Sequence, residues 1–307
     1  MMPCDAHMPV PPDMPDDARR PHAADAPGDA DAGEDADRSP DAAALPSRTV
    51  LLGADHEGWG TAVTAPVGDR VAVGIARGWR PKPYAYVDPN EDAVGAVAGE
   101  RAQVLAVADG HNGRHASHAA MRAVMDLLGS GPHRPDLSHD RLVEVVATVD
   151  DRVCARPVTG RVRSRTTLVV ALRSRSVLQW ASVGDSALLV VADGRPRLLS
   201  SPTRWFVGDG LRRDAMLPTL PAGTIDLPVS AWVVLATDGW TDWLPQGLTP
   251  HTAARTALSG VGEPERAVSV LLGQARDGGA GDNVGVAVSA PWYKPRDADD
   301  DILDPDR

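Results

Sequence analysis

Short runs rich in valine, bounded by Gly, Asp or Pro, dominate the middle of the chain and are typical of β-strands. They predict eight strands: Val71–Ile75, Asp92–Val97, Val104–Ala108, Thr167–Leu172, Val177–Val183, Ala187–Val191, Trp232–Ala236 and Val284–Val288. Four other stretches place apolar residues at helical spacing and predict helices: Arg114–Leu128, Arg141–Val153, His251–Leu258 and Glu265–Ala275.

The order of these elements constrains the fold class. Strands come first, then two helices, a run of strands, two more helices and a final strand. The segment Leu188–Leu198, with Asp193-Gly194 in its middle, predicts an antiparallel hairpin. Strands and helices do not alternate regularly, as they would in a doubly wound parallel sheet. We therefore predict a layered α+β body.

The charge of the chain is concentrated in its two ends. Residues 1–46 carry ten Asp and one Glu against three Arg, and residues 292–307 carry six Asp against three basic residues. These ends account for the whole net charge of −11, so the body is neutral, which argues against a broad surface for nucleic acid. Both ends have few large apolar side chains, and we predict that they are disordered acidic tails.

The two cysteines, Cys4 and Cys154, lie far apart and show neither metal-ligand nor redox spacing. The N-terminal residues contain no apolar core of a signal peptide, and no run reaches the roughly 18 apolar residues of a membrane helix. We expect a soluble, cytoplasmic protein that does not bind membranes or nucleic acid and is a monomer.

Acidic residues stand where several predicted strands begin or end. Asp109-Gly110 and Asp238-Gly239 follow buried strands, whereas Asp282 and Glu91-Asp92 precede strands. Asp-Gly is ordinarily a turn dipeptide, and Asp193-Gly194 fits that interpretation. Carboxylates gathered at strand ends would repel one another unless cations neutralised them, and oxygen ligands suit Mg²⁺ or Mn²⁺.

These segments resemble, in order, the motifs of the metal-dependent protein phosphatases of type 2C (the PPM family of serine/threonine phosphatases). The matching segments are Asn90-Glu91-Asp92-Ala93, Ala108-Asp109-Gly110-His111-Asn112-Gly113, Thr166-Thr167-Leu168, Val183-Gly184-Asp185-Ser186, Ala236-Thr237-Asp238-Gly239-Trp240 and Gly281-Asp282-Asn283-Val284. The resemblance implies a central sandwich of two antiparallel β-sheets flanked by pairs of α-helices. It also implies a catalytic domain over residues 47–291, between the two tails.

The resemblance further implies a role for each acidic residue at a centre of two Mn²⁺ or Mg²⁺ ions. Asp109 would bridge both ions. The Gly110 carbonyl and Glu91 would complete one ion's ligands, and Asp238 and Asp282 those of the other. Asp92 would hold metal-bound water, and Asp185 would form a third, weaker metal site with Asp238.

The expected reaction is hydrolysis of phosphoserine or phosphothreonine in a phosphorylated protein substrate. A hydroxide bridging the two ions would attack in line, and His111 could protonate the leaving oxygen.

One position departs from the family pattern. Relatives carry a phosphate-gripping arginine where this chain has Val87. Arg80 could replace it if its loop folds back, because a guanidinium grips phosphate through two hydrogen bonds. Lys82 is a second, weaker candidate.

The missing arginine leaves an alternative open, a non-catalytic module that binds a phosphoprotein or regulatory partner. The chain lacks the motifs of two other enzyme classes. It contains no Gly-x-Ser-x-Gly elbow of serine hydrolases and no phosphate-binding loop for nucleotides.

Overall fold

The computed structural model describes residues 46–82, 87–129, 139–157, 163–210 and 219–292. They belong to one compact unit, Ala43–Arg307. Residues 1–45 and 293–307 lie outside the described residues, so the two disordered tails and the boundaries of the catalytic domain stay predictions. None of the described helices is both long and apolar enough to cross a membrane.

Two six-stranded antiparallel sheets form the centre of this unit. In spatial order, the first sheet contains β1 (Ser47–Leu52), β4 (Ala93–Ala98), β5 (Ala102–Ala108), β8 (Leu168–Ser174), β9 (Val177–Val183) and β12 (Ala222–Asp226). The second contains β11 (Arg195–Leu198), β10 (Ala187–Ala192), β13 (Trp232–Ala236), β14 (Val284–Ser289), β3 (Val71–Ala76) and β2 (Ala62–Val67). A short ribbon pairs β6 (Gly110–His111) with β7 (Arg165–Thr166).

Helices cover the outer face of each sheet. The first sheet carries α1 (His115–Leu128) and α2 (His139–Cys154), and the second carries α3 (Asp238–Thr241), α4 (Pro250–Leu258) and α5 (Pro264–Asp277). A 3₁₀ turn, Gly53–Asp55, follows β1. The predicted sandwich of two antiparallel sheets flanked by helices is therefore confirmed.

The four layers explain why the central strands read as unbroken apolar runs. All seven residues of β5 are buried: Leu105 and Val107 face the second sheet, while Val104 and Ala106 face the helices. Each fully buried Leu or Val contributes about 1.5–3 kcal/mol relative to an exposed one. A strand with both faces covered cannot alternate polar and apolar residues.

All eight predicted strands and four predicted helices are present, with ends shifted by at most two residues. The predicted hairpin is also confirmed, because Asp193 and Gly194 both have positive φ, 49° and 70°, in a two-residue turn between β10 and β11. The sequence did not predict β1, β2 or β12, which are only partly buried. Their residues lack the dense apolar runs that identified the central strands.

Candidate metal centre

Acidic side chains from both sheets gather at one end of the sandwich. Asp92 precedes β4 and Asp109 follows β5 in the first sheet, whereas Asp238 follows β13 and Asp282 precedes β14 in the second. Adjacent antiparallel strands run in opposite directions, so the end of one lies beside the start of the next. Pairing of Ala93 with Ala108 places Asp92 and Asp109 side by side.

The predicted acidic residues differ in exposure. Asp92 is fully buried, and Glu91, Asp109 and Asp282 are 4%, 6% and 8% exposed. Asp238 is half-buried, and Asp185, between β9 and β10, is exposed. The cluster therefore has a dry interior and one open side.

Three of these carboxylates are already arranged as a set of cation ligands. One oxygen each from Asp109, Asp185 and Asp238 lies within 4.8 Å of the other two. Among the described residues, buried Asp92 Oδ1 and Asp238 Oδ1 have no hydrogen-bond partner. Buried oxygens without donors are costly unless a cation is bound, so the residues present fit one or more divalent ions.

The protonation of the carboxylates leads to the same conclusion. Burial, reinforced by neighbouring carboxylates, raises the pKa of Asp92 to about 8 and that of Asp238 to about 10. Burial also raises the pKa of Asp109 well above its ordinary value. Without a cation Asp92 and Asp238 would hold protons at pH 7, and a bound divalent ion would favour the ionised form of all three groups.

Glu91 is held on three sides at the edge of the cluster. Its Oε1 accepts the N–H groups of Val87 and Asp88 at 3.0 and 2.9 Å. Its own N–H donates to Asn283 Oδ1 at 2.9 Å, and its carbonyl accepts from Ser117 Oγ. One of its two carboxylate oxygens thus fixes the chain before β4. Its role as a metal ligand stays a prediction, as does that of the Gly110 carbonyl.

Hydroxyl groups fix the backbone and side chains that carry the aspartates. Asp109 accepts at its carbonyl from Thr166 Oγ1, 2.7 Å away, and donates its N–H to Thr167 Oγ1 at 2.9 Å. Thr237 Oγ1 donates to Asp92 Oδ2 at 2.9 Å and accepts from Gly285 N–H. The sequence contains these threonines in the recognised motifs, but their positioning role depends on contacts across the sheets.

The structure places the two basic candidates differently. The Lys82 side chain is 4% exposed, and its Nζ lies 2.9 Å from Asp282 Oδ1. Arg80 is exposed, and its guanidinium lies over Gly279, where an added Cβ would come 2.8 Å from Cζ. Val87 is 69% exposed. Lys82, ranked second from the sequence, thus contacts a cluster carboxylate, and a phosphate-gripping role for Arg80 stays a prediction.

His111 lies on β6 at the open side of the cluster. Its ring meets Phe206 edge-to-face, with centroids 4.8 Å apart, and the Arg165 guanidinium lies 4.3 Å from the centre of the same Phe206 ring. Burial lowers the pKa of His111. Phe206 is the only phenylalanine in the chain, but nothing in the sequence placed it beside His111.

The histidines of α1 have different surroundings. His115 is exposed, whereas His118 is buried, and among the described residues its Nε2 has no hydrogen-bond partner. Burial lowers the pKa of His118 to about 4, so its imidazole is neutral at pH 7. His118 therefore adds no positive charge to this end of the sandwich at neutral pH.

Comparisons with known proteins agree with this architecture. The structure is similar to that of the Mycobacterium tuberculosis serine/threonine phosphatase PstP/Ppp, with a TM-score of 0.57 and 21% identity over 73% of this chain and 99% of that one. A PstP catalytic domain solved with two manganese ions gives a TM-score of 0.56 and 22% identity, over 75% of this chain and 99% of that one. The S. agalactiae serine/threonine phosphatase gives a TM-score of 0.56 and 18% identity, over 75% of this chain and 100% of that one.

A search of curated protein sequences found no match. A sequence model of the family described as protein phosphatase 2C matches residues 85–272, which is more than half of the chain. The matched region contains Glu91, Asp92, Asp109, Asp185 and Asp238. The chain belongs to the protein phosphatase 2C family.

Proposed function

We propose that this protein is a metal-dependent phosphatase that removes phosphate from phosphoserine or phosphothreonine in proteins. The observation that carries the proposal is the cluster of carboxylates with unpartnered buried oxygens at one end of the sandwich. The manganese-bound PstP catalytic domain, a distant relative, supports Mn²⁺ or Mg²⁺ as the cation.

Asp109 is the proposed bridge between two ions. Gly110 and Glu91 would complete one ion's ligands, Asp238 and Asp282 the other's, and Asp185 with Asp238 would form a third site. When bound, such ions lower the pKa of a water molecule and neutralise charge on the transferred phosphoryl group. The chain's own contribution is to hold these carboxylates in a fixed, mostly dry arrangement.

His111 is the proposed proton donor to the leaving seryl or threonyl oxygen. It is half-buried beside the cluster, and Phe206 fixes the plane of its ring. Burial lowers its pKa, but the negative charge of a bound phosphate would favour the protonated imidazole. Proton donation would therefore be coupled to substrate binding.

The test is hydrolysis of p-nitrophenyl phosphate and of a phosphothreonine peptide with and without Mn²⁺. Turnover should require the metal and be abolished by Asp109→Ala and by Asp238→Ala. Asp193→Asn is a matched control, because it changes an aspartate of an Asp-Gly turn outside the cluster. Turnover by the unaltered protein that does not exceed that of the two alanine variants would refute the proposal.

A second candidate is a non-catalytic module that binds phosphoproteins through the same end of the sandwich. Two observations favour it: Val87 stands exposed at the usual arginine position, and Lys82 already neutralises Asp282. Calorimetric binding of the phosphothreonine peptide without any turnover would support this candidate over the enzyme.

A further inference from the structure

We propose that the Lys82 ammonium is a resident cation that competes with a divalent ion for Asp282. A divalent ion that does not need Asp282 would then bind first, and the ion that takes Asp282 as a ligand would bind more weakly because it must displace Lys82. This inference rests on the metal centre of the proposed function, but it concerns how that centre fills.

Lys82 lies inside the cluster. Its Nζ is 2.9 Å from Asp282 Oδ1, and the two side chains are only 4% and 12% exposed. The negative charges of Asp92 and Glu91 also act on the ammonium. A cation in this position reduces the repulsion between the carboxylates when no metal is bound.

The two sides of the cluster differ in what their oxygens already bind. Asp282 Oδ1 accepts from Lys82 Nζ and also from the Asn283 N–H at 2.7 Å. On the other side, Asp238 Oδ1 has no hydrogen-bond partner among the described residues, and it belongs to the carboxylate trio within 4.8 Å. A metal bond to Asp238 Oδ1 therefore breaks no existing contact of that oxygen, whereas a metal bond to Asp282 Oδ1 has to replace the ammonium.

The choice of lysine fits a displaceable group. Of the 31 basic residues in the chain, only Lys82 and Lys294 are lysine. An ammonium is a compact charge on a flexible four-carbon stem, whereas a guanidinium would grip the carboxylate through two parallel hydrogen bonds. Lysine at position 82 can occupy the carboxylate and still withdraw when a divalent ion binds.

Calorimetric titration with Mn²⁺ alone tests the inference without using activity. The unaltered protein should bind one ion more tightly than a second. Lys82→Met should strengthen the weaker step about tenfold, since an occupant present about nine-tenths of the time reduces apparent affinity by that factor. Arg80→Met is a matched control, because it removes an equal charge two residues away from Lys82. The Arg80 side chain is exposed and lies over Gly279, so both binding steps should stay unchanged.

A second measurement uses the native chain. Acetylation of lysine followed by mass spectrometry should label Lys82 slowly without metal and faster with saturating Mg²⁺, relative to Lys294. This measurement remains decisive if Lys82→Met does not fold.

The outcomes separate this inference from the proposed function. A tenfold gain in Lys82→Met, in a protein without phosphatase activity, would support the inference and reject the enzyme. Two outcomes would overturn the inference even in an active phosphatase. One is an equal Mn²⁺ affinity in Lys82→Met and the unaltered protein, and the other is a rate of Lys82 acetylation that does not change with Mg²⁺. Absence of Mn²⁺ binding by every variant would overturn both.

Discussion

Both ends of the β-sandwich bury charged side chains, but hydrogen bonds satisfy them to different degrees. At the end opposite the carboxylates, the side chain of Arg173 is fully buried and donates to the carbonyls of Ser289, Ala290 and Ala231 at 3.1, 2.8 and 2.8 Å. It also donates to Ser289 Oγ at 2.5 Å, whereas its Nε has no hydrogen-bond partner among the described residues. At the carboxylate end, Asp92 Oδ1 and Asp238 Oδ1 have no such partners among the described residues.

The difference indicates which buried charge stabilises the fold and which serves a ligand. Arg173 joins β8 of the first sheet to the end of β14 and the start of β13 in the second, so its hydrogen bonds connect the two sheets. The aspartates include buried oxygens without donors, and their ionised forms would repel one another, so they cost stability in the metal-free chain. A fold retains such groups where a bound partner satisfies them.

The largest expected effect is on activity at the carboxylate end. Asp109→Asn should lower kcat by about 10³-fold or more, which corresponds to about 4 kcal/mol, because it removes the proposed bridging ligand. The melting temperature of the metal-free variant should not fall, since an uncharged amide replaces a carboxyl group whose ionised form is disfavoured by burial. Parallel kinetics and thermal melts check both. If activity and stability fell together, Asp109 would be a structural residue, and the carboxylate end would not differ from the Arg173 end in this respect.

At the Arg173 end of the sandwich, a substitution should lower stability and leave activity nearly unchanged. Arg173→Met leaves four oxygens without their donor and should lower the free energy of unfolding by about 3 kcal/mol. The kcat of the folded protein should stay within about twofold at a temperature well below the melt, since Arg173 lies far from the carboxylates along β8. Urea unfolding measures the loss, with exposed Arg175→Met as the control. A loss below about 1 kcal/mol would contradict the assignment of Arg173 as a structural link.

The sequence predicted the central strands, the helices and the acidic motifs because each depends on neighbouring residues along the chain. Val-rich runs identify strands with two covered faces, and an Asp-Gly pair after such a run identifies a strand end. Arg173 could not be recognised as a link between sheets, because its partners follow it by more than 50 positions in the chain. The contact of Lys82 with Asp282 depends in the same way on a loop that folds back, which no local pattern encodes.

The pH dependence of stability gives a sharper test of the carboxylate end. In the metal-free protein, burial raises the pKa of Asp238 from 3.8 to about 10 and that of Asp92 to about 8. Between pH 4 and 8 the folded chain keeps these protons while the unfolded chain has lost them. The free energy of unfolding should therefore fall as pH rises, by at most about 1.4 kcal/mol per pH unit for each group.

Urea unfolding at pH 5, 6, 7 and 8 measures this slope. Asp238→Asn should make it shallower, and saturating Mg²⁺ should remove most of it. A metal-free protein whose stability rises steadily over this range would show that the aspartates are ionised in the folded chain, and that this end satisfies its charge as well as the Arg173 end does.

The smallest expected effect concerns His118 on α1. Burial lowers its pKa from 6.5 to about 4. Between these values the unfolded chain binds a proton that the folded chain does not, so this contribution to stability is present above pH 6.5 and is lost as pH falls toward 4. Between pH 7 and pH 4.5 the loss should amount to about 2.4 kcal/mol, opposite in sign to the aspartates. The glutamine of His118→Gln cannot be protonated. The free energy of unfolding of this variant, relative to that of the unaltered protein, should therefore be higher at pH 4.5 than at pH 7, as measured by urea unfolding. An equal difference at both pH values would mean that the folded chain carries a protonated His118, and the carboxylate end would then hold a positive charge besides Lys82.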